Sequence, residues 1–247
     1  MSLRKKCDFE GQLYLYDKEI FSEMEDARHA YGSLKTEGST LTFDQTCMIL
    51  RGELPHGAEN RAVIEAISLS HSLREVRELI GVVPFSEEVV KRIHKTCSNG
   101  LLKTDECGEY RKRPNFIGRG NYLTAAPNQI GKLMHRLFEA IDGETNPIIK
   151  AAFFGFNYVS IHPFIDHNGR TSRLFECYIL GEAGLPFISL REENIEEYLT
   201  LLREGQERGK AYYEPYVEFI YKRVNERFDE IRKAAGIETA FEKSTKF

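Results

Sequence analysis

The chain has 247 residues, with 34 basic and 38 acidic side chains mixed along its length and a formal net charge of -4. This length suits a single core or a core with an appended lobe, and we expect one main domain. The mixed charge excludes a global basic surface for nucleic acid. Five cysteines without CxxC spacing argue against disulfides and structural zinc. The sequence shows neither a signal peptide nor a long apolar run, so we expect a soluble cytoplasmic protein with no membrane partner.

Apolar residues recur at helical spacing through most of the chain, which predicts a mainly α fold. Two central helices are the most clearly bounded. The first begins after Asn146, a plausible N-cap, with Pro147 in the first turn, and runs to about Ser160. The second ends near Gly184, a normal stop signal. The other predicted helices lie within 12–31, 42–51, 58–80, 86–98, 127–142, 192–206 and 213–234.

The segment 108–123, GEYRKRPNFIGRGNYL, differs from the helical pattern. Aromatic and β-branched residues flank Gly118 to Asn121, which predicts a β-hairpin of two short strands. A glycine-rich phosphate loop is the alternative, but Gly-x-Gly alone is weak and no long apolar strand precedes it. We therefore predict the hairpin.

Complementary polar groups cluster between the two central helices, where a loop enters the second helix. Helix N-terminal amides and the macrodipole favour an anion there, and two arginines three apart can share a helical surface and bind phosphate oxygens. A carboxylate beside such a site usually serves Mg²⁺, and a histidine can act as a base near neutral pH. Each residue alone fits a structural or solvated role better, so the clustering carries the argument. The cluster comprises His162, Asp166, Asn168, Gly169, Arg170 and Arg173.

This segment, HPFIDHNGRTSR at 162–173, resembles the signature of the Fic (filamentation induced by cAMP) family, His-Pro-Phe-x-Asp-Gly-Asn-Gly-Arg-x-x-Arg. The resemblance implies a helical bundle with a small β-hairpin flap, and transfer of AMP from ATP to a Ser, Thr or Tyr hydroxyl. It implies that His162 is the general base, that Asp166 binds Mg²⁺, and that Asn168 and Gly169 belong to the anion-binding loop.

The same resemblance extends to other parts of the chain. Arg170 and Arg173 would hold the triphosphate, and the hairpin near 110–123 would hold the protein substrate as an added strand. We expect three regions: an N-terminal helical region at 1–100, the Fic core at 101–230 and a C-terminal tail at 231–247. Self-modification and a homodimer are compatible with this interpretation.

Two positions depart from the family pattern. His167 stands where Gly is usual, and its side chain would strain the loop if a left-handed backbone is required. We expect the His167 ring to point to solvent, and the alternative is that it adds a hydrogen-bond donor on the phosphate side. Gly155 stands where many relatives have His, on a helix face that we interpret as packing.

Ser33 to Gly38, SLKTEG, is similar to the inhibitory Ser/Thr-x-x-x-Glu-Gly/Asn motif of some Fic proteins. The resemblance implies that Glu37 pairs with Arg173 in place of the ATP γ-phosphate. A motif this short also occurs by chance. The alternative is a helix that ends at Gly38 with Ser33 and Glu37 exposed on one face.

Three other functions stay open or are disfavoured. The same site could transfer UMP or phosphate, or remove AMP from a modified protein. The chain could instead be a nucleotide-binding module that His167 has inactivated. A nucleic-acid-binding role lacks a basic recognition helix.

Overall fold

The computed structural model describes residues 18–117, 122–208 and 213–234. Within these ranges it contains nine α-helices and one two-stranded antiparallel hairpin, which confirms the predicted fold class. A short 3-10 turn, Pro127–Gln129, precedes α5. The helices are α1 Lys18–Thr36, α2 Phe43–Leu50, α3 Asn60–Leu79, α4 Glu87–Ser98, α5 Ile130–Asp142, α6 Pro147–Ile161, α7 Asn168–Glu182, α8 Glu192–Arg208 and α9 Tyr213–Ala234.

Helices α6 and α7 form the centre of the fold. Asn146 is the N-cap of α6, and its side chain accepts hydrogen bonds from the amides of Ile148 and Ile149 at 3.0 and 3.1 Å, as its position before Pro147 predicts. Almost every residue of α7 up to Leu180 is buried, as expected for a helix surrounded by others. A single hydrophobic cluster extends from α1 through these two helices to α9.

Helix α1 extends further than the sequence pattern predicts. It ends at Thr36 rather than near residue 31, while residues 12–17 of the predicted segment lie outside the described ranges. Gly38 adopts a φ of 85°, its amide donates to the Lys35 carbonyl, and the Ser39 amide donates to the Leu34 carbonyl. These two bonds close the helix in a Schellman motif, which fixes the direction in which Glu37 leaves α1.

The hairpin is present where it is predicted. Strand β1, Phe116–Ile117, pairs with β2, Tyr122–Leu123, so that Phe116 lies opposite Leu123. The proposed turn at 118–121 lies outside the described residues. In the part of the chain that the structure covers, no helix combines the length and apolar character needed to cross a bilayer.

Candidate active site

The loop between α6 and α7 is bounded by two histidines in left-handed backbone conformations. His162 has a φ of 55° and His167 a φ of 65°, and they are the two non-glycine residues with positive φ among those described. This conformation costs an L-residue roughly 1–2 kcal/mol, so surrounding contacts must maintain it. The loop is therefore a conformationally constrained connection between the C-terminus of α6 and the N-terminus of α7.

Asn168 holds the loop closed. Its Oδ1 accepts from the Phe164 amide at 3.0 Å, and its Nδ2 donates to the Phe164 carbonyl at 2.9 Å. The Phe164 ring is buried and stacks on His94 at a centroid distance of 3.7 Å. The side chain of Asn168 thus binds the loop itself, so only its backbone amide remains as a donor at the N-terminus of α7.

His94 supports the loop from α4, a contact that the sequence does not predict. The Gly108 amide donates to His94 Nδ1 at 3.0 Å, so Nε2 must carry the proton that it shares with the Asp166 carbonyl at 3.1 Å. Burial lowers the pKa of His94 to about 4, which keeps the ring neutral. The neutral ring thereby fixes the backbone beside the candidate metal ligand.

The His162 ring is in a state suited to accept a proton. Its Nδ1 lies 3.3 Å from the Val159 carbonyl oxygen, and because a carbonyl can only accept, Nδ1 carries the proton and Nε2 keeps its lone pair. Burial, with a smaller contribution from the charge of Arg111, lowers the pKa of His162 to about 4. The ring is therefore neutral at pH 7.

The Asp166 carboxylate is partly open to solvent, with 46% of its side-chain surface exposed. Its Oδ1 accepts from the His167 amide at 2.6 Å and from Arg170 Nη2 at 3.4 Å, whereas Oδ2 lies 4.0 Å from Arg61. Burial raises the pKa of Asp166, but the charges nearby outweigh it and hold the pKa below its usual value. A hard, ionised oxygen with solvent access fits a magnesium ligand, although two arginines compete for it.

The expectation that His167 points to solvent is wrong. The residue is 2% exposed, its ring packs edge-on to His94 at 6.3 Å, and neither ring nitrogen has a hydrogen-bond partner in the described structure. Burial, followed by the charge of Arg170, lowers the pKa of His167 to about 3. The ring turns inward because the left-handed backbone directs Cβ beneath the loop, where His94 and Arg170 already lie.

Arg170 is buried and contacts a carboxylate from another helix. Its Nη1 lies 3.2 Å from Glu65 Oε1 of α3, and its Nη2 reaches Asp166. The sequence places Arg170 in the anion site but does not identify Glu65, because Glu65 is one of many charged residues on α3. In this state the Arg170 guanidinium is shared between two carboxylates.

Arg173 lies against α1, and the Glu37 carboxylate lies beside it at the N-terminus of α7. Arg173 Nη2 donates to Glu37 Oε1 at 2.7 Å, while Nε donates to Ser33 Oγ at 2.9 Å and Nη2 also reaches the Ser33 carbonyl at 3.0 Å. A Cβ on Gly169 would lie 2.5 Å from Glu37 Oε1, so glycine allows this approach. Ser33 is 1% exposed, which contradicts the alternative of an exposed helix face.

Gly155 is a packing position, as interpreted from the sequence. A Cβ there would overlap Glu176 Oε1, and the Gly155 carbonyl accepts from Ser172 at 3.2 Å. Burial raises the pKa of Glu176 to about 7, and Tyr216 donates a hydrogen bond to its carboxylate. A histidine at position 155 would not fit beside this buried acid.

Comparison with known proteins agrees with this geometry. The Fic/DOC family model matches residues 84–180. The protein adenylyltransferase Fic of Drosophila melanogaster is 28% identical over 202 residues, which are 78% of this chain and 39% of that protein. The relative in Drosophila persimilis is similar to the same extent. The chain thus spans about two fifths of the length of these curated relatives.

Solved structures give the same picture for the fold. A Fic domain containing signaling protein from Bacteroides thetaiotaomicron superposes with a TM-score of 0.80 at 25% identity, covering 96% of this chain and 97% of that one. Fic-1 from C. elegans superposes with a TM-score of 0.76 at 22% identity, covering 96% of this chain and 71% of that one. Both similarities include the region before the matched segment.

Proposed function

We propose that this chain, whose residues 84–180 match the Fic/DOC family model, transfers AMP from ATP to the hydroxyl of a serine, threonine or tyrosine in a protein. The Glu37 carboxylate on Arg173 and beside Gly169 is the observation that carries the proposal. An anion bound by a buried guanidinium at a helix N-terminus marks a site that also suits a phosphate. The curated relatives, named as protein adenylyltransferases, support the choice of AMP.

The proposed reaction uses His162 as the general base. His162 Nε2 takes the proton of the target hydroxyl, the hydroxyl oxygen attacks the α-phosphorus of ATP, and pyrophosphate leaves. Because burial lowers the pKa of His162 to about 4, the ring is neutral at pH 7 and its Nε2 lone pair is free. The proton is held at a definite atom while the new phosphate ester forms.

The remaining residues bind the nucleotide. In this proposal the amides at Asn168 and Gly169, with Arg170 and Arg173, neutralise phosphate oxygens at the start of α7. Asp166 would hold Mg²⁺, which supplies further charge neutralisation on the phosphates when it is bound. Both arginines now contact carboxylates, so ATP must displace Glu37 from Arg173 to bind fully.

We propose that Glu37 and Ser33 form a built-in inhibitory contact. Ser33 directs the Arg173 guanidinium, and Glu37 occupies the place that a γ-phosphate would take. The protein should therefore be slow until α1 moves or Glu37 is removed. The hairpin is proposed to hold a segment of the protein substrate as an added strand, and the chain itself is one candidate substrate.

The buried, strained His167 is the observation that favours a second candidate, a nucleotide-binding module without transfer. Transfer of another phosphate-containing group, or removal of AMP, would use the same residues. These alternatives differ in what is incorporated, so one labelling experiment separates them.

The test compares ATP labelled on the α-phosphate, ATP labelled on the γ-phosphate and labelled UTP, each with Mg²⁺. Glu37→Gly serves as the released form, and mass spectrometry locates the added group. We expect α-label alone to be incorporated, and Glu37→Gly combined with His162→Ala to lose it while retaining ATP binding. His135→Ala is the matched control, since this exposed histidine pairs with Glu139 away from the site. Binding of ATP without incorporation in any form would support the non-catalytic module.

A further inference from the structure

Arg111 is a buried arginine that the sequence does not distinguish from its neighbours Lys112 and Arg113. It is 5% exposed, and its guanidinium donates to oxygen atoms on both sides of the hairpin and on the active-site loop. The acceptors are the His162 carbonyl at 2.8 Å, the Arg113 carbonyl at 2.8 Å, Thr124 Oγ1 at 2.8 Å and the Ala125 carbonyl at 2.5 Å.

This guanidinium has an unusual set of partners. In the described ranges no carboxylate forms an ion pair with Arg111, and burial lowers its pKa. A buried charge without a counter-ion is costly unless its hydrogen bonds are satisfied, and here carbonyl and hydroxyl oxygens satisfy them. The charge is thus used to bind backbone segments together rather than to neutralise an acid.

One of these segments is the left-handed turn at His162. The turn ends α6, where backbone carbonyls lose their helical partners. Arg111 Nε donates to the His162 carbonyl at 2.8 Å, and the Arg111 amide donates to the Pro163 carbonyl at 2.9 Å. Two donors from one residue therefore hold the strained backbone that carries the proposed base.

The other segments are the two ends of the hairpin. Arg111 contacts Arg113 before β1, and Thr124 and Ala125 after β2. Thr124 Oγ1 donates in turn to the Asn115 carbonyl at 2.7 Å, and Asn115 Nδ2 donates to the Ile165 carbonyl at 2.9 Å. The hairpin and the active-site loop are thus joined at two points, at Arg111 and at Asn115.

We propose that Arg111 is a positioning residue that locks the His162 turn and the base of the hairpin into one rigid unit. The unit would keep the base in register with a hydroxyl presented on the hairpin. This inference rests on the proposed function for its catalytic consequence, but the mechanical link exists independently of any transfer. Misplacing a base by about 1 Å can cost on the order of a hundredfold in rate.

The test uses Arg111→Met, which keeps the length of the side chain but removes its charge and donors. With Glu37→Gly as background, kcat should fall at least about tenfold while the KM for ATP stays within about twofold, because the phosphate contacts are untouched. Arg203→Met is the matched control, since Arg203 is exposed on α8 and donates to Thr200 away from the hairpin and the active-site loop. The control should keep kcat near its starting value.

Two readouts do not depend on transfer. By NMR titration the pKa of His162 should rise in Arg111→Met, because a nearby positive charge is lost while the Asp166 carboxylate remains. Amide hydrogen exchange at Phe116, Leu123 and Thr124 should accelerate. Arg111→Lys retains the charge but not the fork, so it should keep the pKa of His162 close to that of the wild type while the exchange still accelerates.

The outcomes separate the two proposals. If no variant transfers AMP, a raised pKa of His162 and faster hairpin exchange still support the link, and the proposed function alone fails. Arg111→Met could instead lower the melting temperature and leave kcat, the pKa of His162 and hairpin exchange as they are in the Glu37→Gly background. That result would show that Arg111 is a buried structural residue and would overturn the proposal. Should Arg111→Met not fold, Thr124→Val removes one acceptor of Arg111 together with the donor to the Asn115 carbonyl. Unchanged exchange and kcat in that variant would overturn the inference.

Discussion

Replacing Glu37 with glycine removes the carboxylate that now occupies the proposed phosphate site. The lost interaction is one charge-assisted hydrogen bond of 2.7 Å between Glu37 Oε1 and Arg173 Nη2. Such bonds contribute about 1.5–3 kcal/mol, and because 35% of the Glu37 side chain is exposed we use the lower end. About 1.4 kcal/mol corresponds to a tenfold change, so ATP binding and transfer should rise by roughly an order of magnitude.

The assay follows ATP affinity by calorimetry and the initial rate of self-labelling from ATP labelled on the α-phosphate. Glu37→Gln should give a smaller increase, because the amide still fills the space but carries no charge. Thr36→Gly is the control for a loosened helix end, since it weakens the same last turn and leaves the carboxylate in place. If Thr36→Gly activates as strongly as Glu37→Gly, or if folded Glu37→Gly is no faster than wild type, the carboxylate is not the inhibitor.

Four further outcomes are expected. Asp166→Ala should weaken Mg²⁺-dependent ATP binding at least about tenfold, whereas unchanged metal dependence in calorimetry would remove Asp166 from the site. His167→Gly should keep or raise the transfer rate and raise the melting temperature. The reason is that glycine tolerates the left-handed φ of 65° and that the variant removes a buried ring without hydrogen-bond partners. A large loss of rate would show that the imidazole contributes to the reaction. Gly155→Ala should lower the free energy of unfolding by about 1–3 kcal/mol in urea titrations, because its Cβ overlaps Glu176, and an unchanged midpoint would contradict this packing.

The fourth prediction concerns how the free energy of unfolding depends on pH. Unfolding should take up protons on buried histidines between pH about 6.5 and about 4, so the free energy of unfolding should fall as the pH falls through this window, by about 1.4 kcal/mol per proton and pH unit. Glu176 acts in the opposite direction, since its pKa is raised to about 7, but it is one group against four. Urea titrations at several pH values measure how the free energy of unfolding changes with pH. A free energy of unfolding that does not change across this window would refute the lowered pKa values of the histidines. The histidines are His29, His94, His162 and His167.

The sequence by itself determined the helical architecture, the central loop and the hairpin. Helix spacing, the Asn146 cap and the glycine stops act over a few residues, so local pattern is enough to predict them. The residues of the central loop come together by adjacency in the chain, so the sequence alone predicts that His162 and Asp166 lie close to each other, while their roles stay predictions. The pairing of Glu37 with Arg173 followed from family resemblance and not from the local pattern.

Only the tertiary structure decided which distant side chains share a contact. Glu65 reaches Arg170 across more than a hundred residues of chain, and His94 reaches the Asp166 carbonyl from another helix. No periodicity selects one charged residue among many for such a contact, because the choice depends on how helices pack. His167 shows the same limit: the departure from glycine was visible in the sequence, but the inward direction of its ring follows from a left-handed backbone packed against His94.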